Sequence, residues 1–153
     1  MEGRGIQDQN ITASSMYDNR GDMGPYGARL NFQFRGITGW CKAKGDNDPW
    51  IQVEFGRYMI ITGVITQGRA TDRYQQWVKK FTVSYSDAGQ EWTGVTDGRS
   101  GIQMTFTGNS DKYTPVNSTF PEPVRARFLR IEPKAWNQVC CMRFEVVGCE
   151  SPE

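Results

Sequence analysis

The sequence predicts an all-β fold, an antiparallel sandwich or barrel, and three observations carry that prediction. Apolar residues recur with period two in short runs. Clusters of Gly, Asn, Asp and Pro separate the runs, and no long stretch carries the 3.6-residue pattern of an amphipathic helix. Because side chains of a strand alternate between faces, each run reads as a strand with its apolar face inward.

In chain order, the first clear run is Ile51, Val53 and Phe55, alternating with Gln52 and Glu54 after the turn cluster Gly45-Asp46-Asn47-Asp48-Pro49. Arg69–Lys80 (RATDRYQQWVKK) alone lacks Gly and Pro for long enough to form a helix, and its periodicity is weak. Phe81, Val83 and Tyr85 alternate with Thr82, Ser84 and Ser86, and the turn cluster Ser86–Gly89 follows. Ile102, Met104 and Phe106 predict a third strand, ending at Gly108-Asn109-Ser110-Asp111. Met142, Phe144 and Val146 predict a last one. With 153 residues and no linker, repeat or low-complexity segment, the chain reads as one domain, 1–153.

Composition removes several function classes. A net charge of +1 without a basic cluster argues against a nucleic-acid partner. The absence of histidine removes Ser-His and Cys-His catalysis and most zinc sites, and no carboxylate pair stands out for acid–base work. The expectation is a protein that is not an enzyme and needs no cofactor. Four cysteines (41, 140, 141 and 149) occur with two sequons, at Asn10 and Asn117. Together they point to an extracellular, disulfide-bonded glycoprotein. No apolar run approaches 18 residues and no leader is visible, so the chain reads as a piece excised from a larger extracellular protein.

Eight stretches, in order and at their spacings, resemble the discoidin domain, also called the coagulation factor V/VIII C-type domain. They are Ile11–Ser15, Ala28–Asn31, Trp50–Val53, Ile65–Gly68, Tyr85–Trp92, Gly108-Asn109, Arg127–Ile131 and Met142–Cys149. The resemblance spans essentially the whole chain. It implies a distorted jelly-roll sandwich of about eight core strands, like galactose-binding domains, whose binding face is a set of loops at one end. Relatives bind phosphatidylserine membranes, sugars, collagen or a C-terminal arginine, so the loops must name the ligand. The resemblance also implies that Trp50, Trp92 and Phe144 are core, that Arg29 and Arg143 tie strands to loops, and that Gly63, Gly68, Gly89 and Gly148 serve turns and close packing.

By resemblance the binding loops are Met16–Gly27, Cys41–Pro49 and Arg69–Gln76, with Ala135–Cys141 beside them. Neuropilin-type relatives hold an arginine between aromatic walls. The matching positions here are Tyr17, Trp77 and Trp136, with Thr71 as a hydroxyl and Asp46 or Asp48 as the floor carboxylate. Such a cleft suits a glycan or a cationic peptide end. Membrane-binding relatives carry large apolar loop tips. Only Met23, Tyr26 and Tyr74 are available here, with Arg20, Arg69 and Arg73 for anionic headgroups, so binding to an anionic surface is the alternative. Arg20-Gly21-Asp22 adds a third option, integrin-type adhesion to a cell-surface receptor. The family leaves calcium at Asp22, Asp46 or Asp48 open. It also implies that Cys149 pairs with a cysteine preceding Met1. A bridge from Cys41 to Cys140 or Cys141 would then clamp the loop end, with Cys41–Cys140 favoured.

Overall fold

The computed structural model describes residues 6–152. Its strands are β1 (Ile11–Ala13), β2 (Trp40–Cys41), β3 (Ile51–Gln67), β4 (Trp77–Ser86), β5 (Thr93–Gly94), β6 (Phe106–Thr107), β7 (Val116–Asn137) and β8 (Cys141–Glu150). Hydrogen bonding orders them β2-β8-β3-β7-β4-β5, with β1 added to β3 and β6 to β4. All these pairings are antiparallel, and the sheet curls into a jelly-roll-like sandwich.

The predicted alternation builds this core. Ile51, Val53, Phe81, Val83, Met142 and Phe144 are buried, and they meet Trp40, Ile61, Leu129 and Ile131 between the layers. Gly63 and Gly148 are required where β3 presses on its neighbours. A Cβ at Gly63 would stand 2.4 Å from the Ser118 carbonyl oxygen, and one at Gly148 would stand 2.2 Å from that of Ile60.

The third run behaves differently. Ile102 is 68% exposed, and only Phe106 of that run is buried within a strand. Asp97 accepts bonds from Arg99 and Ser100, forming a turn, and one bridge from Gln103 to Thr96 is the pairing that precedes β6. Arg69–Lys80 forms no helix, and its last four residues open β4. Trp50 and Trp92 are half-buried rather than core. Their rings enclose the Arg130 guanidinium, whose Cζ lies 4.0 Å from each centroid. The buried tryptophan is Trp40, whose Nε1 donates to the Ser15 carbonyl at 2.8 Å.

Two long strands set the polarity of the molecule. β3 leaves the 41–49 loop and finishes at the 69–76 loop, so it travels out and returns. β7 does the same between the 108–115 loop and the 135–141 segment. Their midpoints therefore lie at the end away from these loops. There Glu54 pairs with Phe128 and Met59 with Ala126, so Phe55–Tyr58 bulges opposite Arg127 alone.

Candidate functional site

The loop end is organised by a buried cation and by a polar knot. Arg143 is 3% exposed and donates to the carbonyls of Gly68 (2.8 Å), Phe32 (3.3 Å) and Lys112 (3.2 Å), tying three loops to β8. Arg29 joins Asp8 at 2.6 Å. Both arginines hold loops as the sequence implies. The Asp46 carboxylate accepts from Ser14 Oγ at 2.5 Å, Ser15 Oγ at 2.6 Å and the Asp48 amide at 3.2 Å. Those hydroxyls in turn accept from the Trp50 and Ala43 amides, each at 3.0 Å. Burial pushes the Asp46 carboxyl up, but the two hydroxyls and the amide outweigh it and hold it below the usual carboxylate range.

A cleft of about 610 Å³ opens between the 16–27 loop, the 69–76 loop and the 135–141 segment. Tyr17 walls one side. Arg20, Arg69, Arg73 and Tyr74 line it with Thr71, Gln76 and Gln138, and among the described residues Asp18 is the one carboxylate lining it. Asp18 and Asn19 take left-handed φ of 48° and 53°, a conformation these two side chains tolerate, and this turn delivers Arg20 to the rim. Arg69 is fixed, donating to Thr38 Oγ1 at 2.8 Å and Gln76 Oε1 at 2.9 Å. Asn137 Nδ2 donates to the Gln75 carbonyl at 2.6 Å and joins the two remaining walls. Behind Tyr17 lies a smaller cleft of about 210 Å³ bordered by Trp136, Lys42 and Lys44. Lys42 Nζ stands 5.1 Å over the Trp136 ring, and Lys44 Nζ 5.4 Å over Tyr17.

Of the expected site, then, the fold brings together Tyr17, Thr71, Arg20, Arg69, Arg73 and Tyr74, with Trp136 next door. Asp46, Asp48 and Trp77 stand outside the lining of both clefts. Asp46 is occupied as the loop anchor, and Asp48 is exposed with Lys134 at 3.9 Å. Trp77 pairs with Asn137 as the first residue of β4.

Two of the expected tips are not tips. Met23 is 7% exposed and packs on Cys41, Cys141, Tyr17 and Val139, forming a small second core beneath the cleft. Tyr26 is half-buried in a 3-10 turn. Arg20 and Asp22 face each other, with bonds of 3.0 and 2.6 Å, instead of spreading across Gly21. The resulting hydrogen bond holds the Asp22 carboxyl below its ordinary range. Asp22, Asp46 and Asp48 make no calcium cage, and among the described residues no group of three or more acidic, His or Cys side chains converges to hold a metal. Of the sequons, Asn117 is exposed on β7 and Asn10 is half-buried before β1.

The disulfide is Cys41–Cys141, not Cys41–Cys140. The register explains the choice: Cys41 lies directly opposite Cys141 in the β2–β8 pair. Cys140 is the residue before, turned to the other face and buried in the main core. Burial pushes its thiol up to about 12. Cys149 is an exposed free thiol.

One projection was not legible from the apolar pattern. Arg35 and Gly36 both have positive φ, 50° and 80°, and Phe34 and Ile37 exchange backbone bonds around them. This is a tight hairpin of the primed type. It leaves Phe34 56% exposed with Arg35 over its ring at 5.0 Å. The Thr38 carbonyl accepts from Ala70, which sets the hairpin beside the 69–76 loop. A two-residue turn carrying Arg-Gly was the available signal.

The family model for the F5/8 type C domain matches residues 10–146. The chain belongs to this family. It is 37% identical to the EGF-like repeat and discoidin I-like domain-containing protein 3 of Mus musculus, over 98% of the chain and 32% of that relative. It is also 37% identical to coagulation factor VIII of Homo sapiens, over 100% of the chain and 6% of that protein. The domain thus spans only a small part of these relatives. Recombinant discoidin II of Dictyostelium discoideum superposes with a TM-score of 0.79 at 23% identity, covering 94% of the domain and 56% of that chain. The Clostridium perfringens module CpGH89CBM32-5, solved with GalNAc-β-1,3-galactose, gives 0.67 at 15% identity over 92% of the domain and 97% of that chain. Both show a shared fold. F5/8 type C domains are recognition modules rather than catalysts. The domain is extracellular, as its relatives are, and the Cys41–Cys141 bridge fits an oxidising compartment.

Proposed function

We propose that this domain is a non-catalytic extracellular adhesion module that takes a glycan in the cleft between the 16–27 and 69–76 loops. The observation that supports it is the lining. A tyrosine wall faces three arginines and two carboxamides in a cleft closed at one side by the 135–141 segment. Tyr17 offers a flat face for the apolar side of a sugar ring, while Gln76, Gln138 and Thr71 offer bonds to its hydroxyls. The arginines favour sugars carrying an acidic substituent. A cationic peptide end fits less well, because Asp46 is engaged by Ser14 and Ser15 and the arginines would repel it. The mutual Arg20–Asp22 pair likewise weakens the receptor-tripeptide reading. Structural neighbours solved with GalNAc-β-1,3-galactose and with chitotriose are consistent with a sugar ligand.

A panel of neutral and acidic glycans, followed by calorimetry on those that bind, tests this. Tyr17→Ala and Arg73→Ala should each weaken binding by about tenfold, equivalent to about 1.4 kcal/mol. Arg73 is exposed, so its loss should leave the melting temperature in place. Glycan binding indifferent to both changes would remove the cleft from the mechanism.

A second reading rests on a different observation, the exposed Phe34 at the hairpin tip beside Arg35, with Tyr74 46% exposed on the neighbouring loop. Such a pair suits a ring at the acyl boundary and a guanidinium on an anionic headgroup. Side-by-side binding to phosphatidylserine and phosphatidylcholine vesicles at two salt concentrations checks it. Selective, salt-sensitive binding lost in Phe34→Ala supports this reading, and equal binding to both vesicles counts against it.

A further inference from the structure

The bulge at the far end of β3 builds a second basic site. Gly56 has a φ of 76°, which lets the chain turn sharply and present Arg57 and Tyr58 outward. Opposite, Arg125 and Arg127 project from β7 on the same face, two residues apart. Arg125 Cζ lies 3.7 Å over the Tyr58 ring and Arg127 Cζ 6.0 Å from it. With Gly56, Glu150 and Ser151, these four residues line an open cleft of about 680 Å³.

The donors there are largely unspent. Each guanidinium carries five N–H groups. Arg57 uses one on Glu150 at 2.5 Å, Arg125 uses its Nε on Ser151 Oγ at 2.9 Å, and Arg127 reaches the Gly56 carbonyl only at 3.5 Å. Arg127 Nε is buried with no partner. Among the described residues Glu150 is the one carboxylate lining the cleft, against three arginines. Two guanidiniums share the Tyr58 ring and a third, Arg57, lines the same cleft beside Glu150, a concentration of like charge that a bound anion would relieve.

We propose that this cleft, distinct from the loop-end site, binds the sulfate or carboxylate groups of an acidic polysaccharide. Planar guanidiniums match oxyanions bidentately. The volume falls within the roughly 300–1,000 Å³ of pockets that hold ligands well above a single ion in size. Among the described residues, none of the exposed large hydrophobics, Phe34, Tyr74, Ile102 and Tyr113, lies here, so they offer this cleft no ring for a membrane surface. With the glycan cleft at the loop end, the domain would then hold ligands at opposite ends.

Calorimetry with a heparin-derived hexasaccharide tests the proposal, with its desulfated counterpart, inorganic sulfate and a glutamate-rich peptide in parallel. The sulfated hexasaccharide should bind in a salt-sensitive way, be displaced by inorganic sulfate, and lose affinity on desulfation. Arg57→Gln and Arg125→Gln should each weaken binding about tenfold. Glu150→Gln, which frees Arg57 without changing shape, should strengthen it severalfold. The titrations are run in a Tyr17→Ala, Arg73→Ala background, which weakens the loop-end cleft, so that the remaining binding and its loss in Arg57→Gln and Arg125→Gln report on this site. Arg57 is exposed on the bulge, so its variant folds normally and a failure to lose affinity cannot be blamed on misfolding. No binding in that background, binding there unmoved by Arg57→Gln, or equal or tighter binding of the peptide would overturn the proposal.

Discussion

Asp46 separates two accounts of the loop end. If it were the floor of a ligand site, Asp46→Ala would abolish binding and leave the fold untouched. The geometry predicts the reverse. The carboxylate receives two serine hydroxyls and one amide, and those hydroxyls hold the amides of Ala43 and Trp50, so one side chain organises five hydrogen bonds. Bonds to a charged group contribute about 1.5–3 kcal/mol each when buried. Asp46 is only partly buried, so solvent screening reduces that sharply, and about 2 kcal/mol for the set is a reasonable sum. For a chain of this size the loss corresponds to a fall of about 4–8 °C in Tm.

The effect carries a pH signature. The folded carboxyl lies below its ordinary value of 3.8, so its stabilisation is present above that pH and is lost as the pH falls through the lower folded value. Thermal melts of the parent and Asp46→Ala should therefore differ fully at pH 7 and converge below about pH 3.8. Binding to whichever glycan or vesicle the parent selects should change by less than about threefold once the variant is folded. An unchanged Tm with abolished binding would refute the reasoning and restore Asp46 as a ligand contact.

Two further outcomes follow from the packing under the cleft. The Cys41–Cys141 bridge closes a separation of 100 residues, for which chain entropy gives about 4.7 kcal/mol; the double alanine variant should melt about 10–15 °C lower. Non-reducing peptide mapping of Cys140→Ala should still find the bridge, and a bridge lost in that variant would contradict the register. Met23→Ala removes a buried thioether from between the disulfide and Tyr17, with an expected cost of about 2–3 kcal/mol. Vesicle binding in that variant should be unaffected, and the opposite pattern, an unchanged Tm with vesicle binding lost, would return Met23 to the loop tip.

Local pattern by itself determined the fold class. Period-two runs such as Ile51–Phe55 and Phe81–Tyr85 declare a buried face whatever lies opposite, because the alternation is a property of the extended backbone. The order and spacing of short stretches such as Ile11–Ser15 and Arg127–Ile131 sufficed for the family, and the same register pointed to Tyr17 and Thr71 as cleft residues and to Arg73 as a loop tip; all three line the loop-end cleft. What the tertiary structure decided is where each polar side chain spends its bonds. Asp46 could have faced a ligand, but Ser14 and Ser15, 32 and 31 residues away, claim it. The local exception is Arg20, which could have met a receptor but is claimed by Asp22 two residues on. Cys140 and Cys141 are adjacent and chemically alike. Which of them meets Cys41 depends on a one-residue register between β2 and β8, and a strand turns successive side chains to opposite faces. Partners chosen across tens of residues depend on chain closure in three dimensions, and no local pattern encodes that.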